Sequence, residues 1–154
     1  MKSNELNIHN DSEREITATR ILKVPRDLVW KVWTEPEHIK QWWGPDGFTN
    51  TIESMEVRAG RQWKFIMHGP DGVDYRNIIT YIEVKKPELI IYEHGPSPKF
   101  NVKVTFETFG KYTRLNMRMT FDSAEELKRT VKTFNAVEGL EQTLNRLEGY
   151  LNVI

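Results

Sequence analysis

The sequence predicts an antiparallel α+β fold, in which one curved sheet packs against a long C-terminal helix. Three observations support this prediction. A first strand is followed by two short helical segments, six further strands are divided by short turns, and one amphipathic helix ends the chain. A sheet with one apolar face must be covered, and the C-terminal helix is the one predicted element large enough to cover it.

The N-terminal part of the chain contains a polar arm and the first strand. Residues 1–12 are polar and aperiodic, which indicates a flexible arm. Residues 13–154 are expected to form a single domain, since this length can bury a substantial core. Apolar and polar side chains alternate over residues 14–24, so this stretch is predicted to be the first strand.

Two short helices rich in tryptophan follow. Pro25 suits the first turn of a helix, Thr34-Glu35-Pro36 divides the segment, and Gly44-Pro45 ends it. Burying one tryptophan removes about 150–250 Å² from water, an upper estimate of about 4–6 kcal/mol. We therefore expect the segment to cap a core or line a cavity, with Trp33 and Trp43 the most deeply buried. Its four tryptophans are Trp30, Trp33, Trp42 and Trp43.

The central part of the chain alternates in the manner of strands. Short links rich in Gly, Pro and Asp separate these strands and favour an antiparallel meander. The last two strands alternate strictly, so one face of the sheet is apolar and the other is polar. The pattern leaves open which parity of residues 48–94 faces inward. The six predicted strands are 48–58, 62–68, 73–84, 89–94, 100–109 and 112–121.

The last segment, from Ser123 to about Val153, predicts one long helix with Ser123 or Asp122 as its N-cap. Leucines recur along it at intervals of three, four or seven residues. At 1.5 Å per residue this helix would be roughly 45 Å long, enough to cross a curved sheet. Gly139 interrupts the pattern at a cost of about 1 kcal/mol relative to alanine, which suggests that the helix approaches a neighbour or flexes there.

Composition limits the classes of partner. The 22 basic and 22 acidic residues give a formal net charge of zero, so neither nucleic acid nor a membrane surface is an expected partner. Cysteine is absent, which excludes disulfides and thiolate chemistry. The sequence also lacks an apolar stretch long enough for a transmembrane helix. We expect a cytoplasmic protein that is a monomer or weak homodimer and needs no cofactor.

The sequence contains no catalytic motif, and no catalytic residue or metal ligand is predicted. It lacks both a GxSxG nucleophile elbow and the HExxH spacing of zinc sites. Of the histidines, His94 is the best candidate for a polar group in a cavity, because it shares a strand face with Ile90 and Tyr92. A histidine at the rim, bonded to solvent, is the alternative interpretation.

Several short segments carry a family resemblance that covers roughly residues 15–152. They resemble the signature of the family named for the activator of the heat-shock-protein-90 ATPase, within the START and birch-pollen-allergen-like (SRPBCC) superfamily. Where that family commonly has two consecutive glycines, this chain has Gly60-Arg61. The matching segments are Val24-Pro25, Val29-Trp30, Trp33-Thr34, Pro36-Glu37-His38, Trp42-Trp43-Gly44-Pro45, Arg58-Ala59-Gly60, Trp63-Lys64-Phe65, Asp71-Gly72, Glu83-Val84, Pro87-Glu88-Leu89 and Glu138-Gly139.

The resemblance implies a helix-grip fold, with a seven-stranded curved sheet wrapped around the C-terminal helix and a hydrophobic cavity between them. Three functions are compatible with it. The first is non-catalytic binding of a small apolar or amphipathic ligand. The second is interaction with a protein partner, such as activation of a chaperone ATPase in a stress response. The third is an enzyme of the cyclase or hydratase kind, which would require a buried ionisable pair in the cavity.

Aromatic and methionine side chains are the main candidates for the cavity wall, because methionine adapts to irregular volumes. The same side chains also suit an ordinary core. Polar groups at the mouth would orient a ligand, and Arg118 is a weak candidate for that role. The predicted ligand-binding residues are Trp43, Trp63, Phe65, Met67, Tyr75, Tyr92, His94, Phe106, Met117, Met119 and Phe134.

Overall fold

A computed structural model describes residues 5–9 and 14–154, the first of these stretches by its backbone alone. The strands and helices follow the predicted order, with one additional strand at the N-terminus and one additional helix near the C-terminus. The strands are Glu5–His9 (β1), Glu15–Leu22 (β2), Thr49–Met55 (β3), Gln62–His68 (β4), Asp74–Lys85 (β5), Leu89–Gly95 (β6), Phe100–Phe109 (β7) and Tyr112–Thr120 (β8). The helices are Arg26–Thr34 (α1), Pro36–Ile39 (α2), Ala124–Phe134 (α3) and Ala136–Val153 (α4).

The strands form one antiparallel sheet in the order β1-β2-β8-β7-β6-β5-β4-β3. Strands β3 to β8 are a meander, as the short turns predict, and β2 pairs with β8. The predicted fold class is therefore confirmed, since all seven predicted strands, the two short helices and a long C-terminal helix, α4, are present. The connection through α1 and α2 carries the chain from one side of the sheet to the opposite edge, where β3 lies.

The eighth strand corrects the prediction of a flexible arm. Residues 5–9 pair antiparallel with β2, with Glu5 opposite Thr19 and His9 opposite Glu15. This pairing gives partners to backbone groups that β2 would otherwise present at a free edge. A run of five residues is too short for its periodicity to stand out from a polar sequence. The rest of the predicted arm lies outside the described residues.

The C-terminal helical region is divided at Asn135, which corrects the prediction of one continuous helix. Asn135 adopts a left-handed conformation, with φ 52° and ψ 50°. Asparagine tolerates this conformation better than most residues, so it ends α3 and begins α4. Gly139 lies within α4 and does not break it. Ser123 is the predicted N-cap, since its side chain accepts a hydrogen bond from the Glu126 amide at 3.1 Å.

The tryptophan-rich segment contributes to the main core. Trp42 is fully buried and Trp33 is 4% exposed, whereas Trp43 is only partly buried. The expectation is thus correct for Trp33 and wrong for Trp43. Beyond α2 the chain continues in turns, in which the Trp43 amide donates to the Ile39 carbonyl at 3.1 Å. These turns direct the Trp42 ring inward against Trp33, with ring centroids 4.9 Å apart.

Candidate ligand-binding site

Strand register decides which side chains face the helices. Odd-numbered residues of β4, β8 and the first part of β5 face inward, as do even-numbered residues of β2, β6 and β7. A register shift between Tyr81 and Glu83 ends this regular alternation on β5. Ile82 has the outward parity and is half exposed, whereas beyond the bulge the even-numbered Val84 packs against the core.

A cavity of about 580 Å³ lies on this inner face. Strands β4 to β8 form its floor, the junction of α3 and α4 forms its roof, and the tryptophan-rich segment closes one side. Its volume falls within the range of about 300–1,000 Å³ that is typical of small-molecule sites. The surface of its wall is mainly apolar and includes aromatic, methionine and leucine side chains, with several polar groups between them.

Eight of the eleven predicted residues line this cavity. They come from five different elements and one loop, so the fold brings together side chains that are far apart in the chain. Phe134 lies at the mouth and is 47% exposed, whereas Tyr92 is 4% exposed and lies deeper. The eight residues are Trp43, Met67, Tyr75, Tyr92, His94, Met117, Met119 and Phe134.

The other three predicted residues, Trp63, Phe65 and Phe106, do not line the cavity. Trp63 and Phe65 stack on each other with ring centroids 3.9 Å apart, and both are buried beneath Trp43. Phe106 meets the edge of Trp30 at 5.2 Å. All three have the inward parity, but other rings cover them before the cavity begins.

Arg146 of α4 holds the loop that carries Trp43. Its guanidinium donates hydrogen bonds to five backbone carbonyl oxygens of residues 41–48, at distances from 2.8 to 3.4 Å. Burial lowers the pKa of Arg146, while the nearby Asp46 carboxylate opposes this effect. Because one side chain satisfies so many carbonyls, it fixes this wall of the cavity to the helix.

Two glycines permit close packing beside this loop. Gly44 has φ +101°, and a Cβ atom there would lie 2.8 Å from the Met67 methyl group. Any larger residue would therefore be strained and would displace a residue of the cavity wall. Gly139 faces Pro45, whose Cγ would lie 3.4 Å from an added Cβ. The interruption at Gly139 thus coincides with the approach of α4 to the loop.

His94 is the most constrained polar group of the cavity. Its Nδ1 lies 2.8 Å from the Pro98 carbonyl oxygen, which can only accept, so Nδ1 carries the proton. The ring stacks on Phe100 with centroids 4.6 Å apart and planes 7° apart. Burial lowers the pKa of His94, and the bond to Pro98 offsets part of this effect. The imidazole is therefore neutral at pH 7, and its Nε2 presents a lone pair.

Tyr92 lies two residues before His94 on the same strand face. Burial raises the pKa of its phenol well above the usual range, and the neighbouring Tyr81 adds to this effect. The phenol therefore stays protonated at neutral pH. Its hydroxyl forms no hydrogen bond with another protein group within residues 14–154.

Sequence reasoning missed several polar residues of the wall, among them Asn77, Thr130 and Thr143. Asn77 is 6% exposed and donates to the Tyr75 carbonyl oxygen at 3.0 Å. Its inward position could be recognised only once the parity of β5 was known. Thr130 and Thr143 each follow a leucine of the apolar helix stripe by three residues. That spacing is a signal in the sequence for polar groups facing the core.

A second polar arrangement lies outside the cavity. The His68 Nδ1 is 2.7 Å from an Asp74 carboxylate oxygen, and its Nε2 is 2.7 Å from the Thr51 hydroxyl. This order of groups resembles a hydrolase triad. Thr51 and Asp74 are exposed, however, and none of the three residues lines the cavity. The geometry therefore supplies no enclosed substrate site next to the hydroxyl.

Metal-binding clusters and membrane-spanning helices are both absent from the described residues. No cluster of three or more His, Asp or Glu side chains there could hold a metal ion. In the same part of the chain, no helix is both long and apolar enough to cross a membrane.

The chain matches a known protein family over most of its length. Residues 23–152 match the model of the family described as Activator of Hsp90 ATPase homolog 1-like protein. The chain belongs to this family. The resemblance predicted from the tryptophan-rich segment is thereby confirmed. No curated protein is similar to the chain.

Solved structures of other proteins show the same fold. A protein from Arthrobacter aurescens is 20% identical, with a TM-score of 0.87, over 97% of this chain and 91% of its own. Protein Ms6760 from Mycobacterium smegmatis is 22% identical, with a TM-score of 0.87, over 97% of both chains. Protein NE0264 from Nitrosomonas europaea is 22% identical, with a TM-score of 0.81, over 94% of this chain and 97% of its own.

At identities of 20–22%, these similarities show a shared fold and do not show a shared function. Together with the family match, it places the chain among the helix-grip members of the Activator of Hsp90 ATPase homolog 1-like family. Membership in this family supports a module for ligand binding or protein interaction in general. A more specific function depends on the shape and chemistry of the cavity, because one fold can carry many functions.

Proposed function

We propose that this protein binds a small apolar or amphipathic ligand in the cavity without transforming it. The observation that carries this proposal is the 580 Å³ cavity, whose mainly apolar wall includes eight aromatic rings of Trp, Phe and Tyr and three methionines. A space of this size and lining favours apolar molecules, because they leave water without losing hydrogen bonds. Methionines on β4 and β8 add side chains that can adjust to the shape of the ligand.

The polar groups of the cavity suit binding better than catalysis. Tyr92 and His94 are both held in their neutral forms by burial. The charged residues of the wall, Arg76 and Glu138, lie at the exposed rim and already have partners. An enzyme of the cyclase or hydratase kind would need an ionisable pair within the cavity. Among the described residues of the wall, the ionisable side chains most shielded from water are Tyr92 and His94, and no hydrogen bond joins them into such a pair.

The proposal can be tested with a variant that fills the cavity. Thr143→Phe adds a ring to the cavity wall, and Glu141→Phe adds the same ring to an exposed position on α4. Native mass spectrometry and thermal-shift measurements would screen lipids, sterols and aromatic compounds. We expect at least one class to bind the wild type and Glu141→Phe alike, and to bind Thr143→Phe at least tenfold more weakly. Equal binding to both variants would contradict the proposal.

A second candidate function follows from the description of the family, which names an activator of the Hsp90 ATPase. Under this alternative, the exposed apolar side chains Val73, Ile82 and Phe134 would contact a partner. The test is a measurement of chaperone ATPase activity with increasing concentrations of the protein. Stimulation that Thr143→Phe leaves unchanged would favour this alternative over ligand binding.

A further inference from the structure

Three polar side chains that line the cavity use their hydrogen-bond donor on a backbone carbonyl. The Nδ1 of His94 donates to the Pro98 carbonyl oxygen at 2.8 Å. Thr130 and Thr143 each donate to the carbonyl oxygen four residues earlier in their helices, also at 2.8 Å. A hydroxyl or imidazole that has used its proton in this way offers a ligand only lone pairs. These groups therefore favour a ligand that brings its own donor.

His94 and Tyr92 are placed to share one ligand group. They project from the same face of β6, two residues apart, and both line the cavity. The Nε2 of His94 is an acceptor whose direction is fixed, because the ring is held by Pro98 and stacked on Phe100. The Tyr92 hydroxyl can donate as well as accept. A group that both donates and accepts, such as a hydroxyl, satisfies the two residues together.

The apolar wall indicates the rest of the ligand. The rings of Trp33, Trp42 and Trp43 lie along one side of the cavity, and Phe100 lies on the floor. Aromatic rings favour edge and offset contacts with other rings, and methionine sulfur atoms also contact ring edges favourably. A cavity of about 150 Å³ holds one benzene ring. The 580 Å³ cavity has room for a compound of several fused rings.

Charge argues against a carboxylate ligand. Arg76 of the wall is paired with Glu53 at 2.8 Å, and the guanidinium of Arg146 is taken up by backbone carbonyls. A buried anion without a cationic partner is strongly disfavoured. The lone pair of the His94 Nε2 would also face the anion. A neutral hydroxyl avoids both costs.

We infer that the ligand is an uncharged, multi-ring aromatic compound whose hydroxyl donates a hydrogen bond to the Nε2 of His94. This inference rests on the proposed function, because it specifies which apolar or amphipathic molecules the cavity accepts. His94 is then the residue that selects among ligands of similar shape, while the aromatic wall supplies most of the affinity.

The test uses four probes with the same three-ring skeleton: fluorene, 2-hydroxyfluorene, 2-methoxyfluorene and fluorene-2-carboxylate. Affinities are measured by calorimetry on the full chain. We expect the hydroxyl compound to bind about threefold to tenfold tighter than fluorene or the methyl ether, as one added hydrogen bond implies. The carboxylate should bind most weakly. The imidazole nitrogen spectrum of His94 should shift at Nε2 with the hydroxyl probe and not with fluorene.

Two variants make the test specific for His94. His94→Phe removes the acceptor and keeps a flat ring. The hydroxyl compound should then bind about as tightly as fluorene, which should still bind. His94→Gln restores an acceptor and should recover part of the preference. Circular dichroism and thermal unfolding would verify that both variants fold.

The possible results separate this inference from the proposed function. Binding of all uncharged probes with equal affinity, or a preference that survives in His94→Phe, overturns the inference and leaves ligand binding in place. Tightest binding of the carboxylate also overturns it. If none of the four probes binds, the inference and the proposed function both fail for aromatic ligands.

Discussion

Aromatic side chains lie at both ends of the inner sheet face, but they form a packed core at one end and line a cavity at the other. At the closed end, α1 packs directly on β7 and β8, and the rings of Trp30 and Phe106 meet at 5.2 Å. At the open end, α3 and α4 meet at Asn135 above β5 and β6, and a 580 Å³ cavity remains beneath them. Aromatic residues thus form a core where a helix lies directly on the sheet. They line a cavity where the helix junction holds the helices away from it.

The largest expected difference between the two ends is in stability. Phe106→Ala removes a buried ring at the closed end and should lower the free energy of unfolding by about 3–5 kcal/mol. Phe134→Ala makes the same change at the cavity mouth, where the ring is 47% exposed, and should cost less than about 1 kcal/mol. Urea unfolding of both variants measures the contrast. Equal losses would show that the cavity end is packed as tightly as the core.

Arg146 holds the tryptophan loop at the open end, and its removal should have the next largest effect. Arg146→Met keeps much of the side-chain volume but leaves carbonyls of the tryptophan loop without their donor. We expect a loss of about 2–4 kcal/mol in urea unfolding. Arg146→Lys keeps the positive charge but has fewer donors, so its free energy of unfolding should lie between those of Arg146→Met and the wild type. A loss below about 1 kcal/mol in Arg146→Met would mean that the loop is held by packing alone.

The pH dependence of stability should report on His94 at the open end. An unfolded histidine has a pKa of about 6.5, and burial lowers the pKa of His94 in the folded state. The unfolded chain therefore takes up this proton first. The contribution of His94 to stability is complete above about pH 6.5 and is lost as pH falls toward the folded pKa.

The difference in unfolding free energy between the wild type and His94→Gln isolates this term, because the other histidines are common to both proteins. The wild type should lose stability more steeply than the variant as pH decreases below about 6.5. An NMR titration of His94 gives the folded pKa independently. Parallel curves for the two proteins would contradict the neutral, buried imidazole.

The smallest expected effect is at Gly139, where α4 approaches Pro45. Gly139→Ala adds a methyl group 3.4 Å from the Pro45 Cγ, a tight but tolerable contact. Alanine favours the helix by about 1 kcal/mol, so thermal unfolding should show a gain of up to that amount. Gly149→Ala is the matched control in the same helix, since an added Cβ there meets nothing within 4 Å. If Gly139→Ala lowered stability while Gly149→Ala raised it, α4 and Pro45 would already be too close to accept an added methyl group.

Much of the fold could be predicted from the sequence because each element has its own local signal. Alternation and turn residues locate β2 to β8, and the spacing of prolines and tryptophans locates the two short helices. The strand β1 lacks such a signal, since five residues in a polar segment form too short a pattern. The division at Asn135 depends on a single left-handed residue, and asparagine occurs in continuous helices as well.

The candidate site was harder to predict, because parity alone does not distinguish a cavity wall from a core. Trp63, Phe65 and Phe106 have the inward parity but are covered by other rings. Which side chains stay open depends on the position of the helix junction, a property of the assembled fold. His94 shows the same dependence, because its neutral, oriented state comes from Pro98 and Phe100 rather than from its own strand.

The methionines provide the most direct measurement of the central claim that the open end of the sheet binds a ligand. Met67, Met117 and Met119 line the cavity, whereas Met55 packs against the core outside it. Methyl NMR spectra would be recorded while 2-hydroxyfluorene is added. The account predicts saturable shifts at the three cavity methionines and little change at Met55. Shifts at Met55 alone, or no shifts at any of the four, would contradict it.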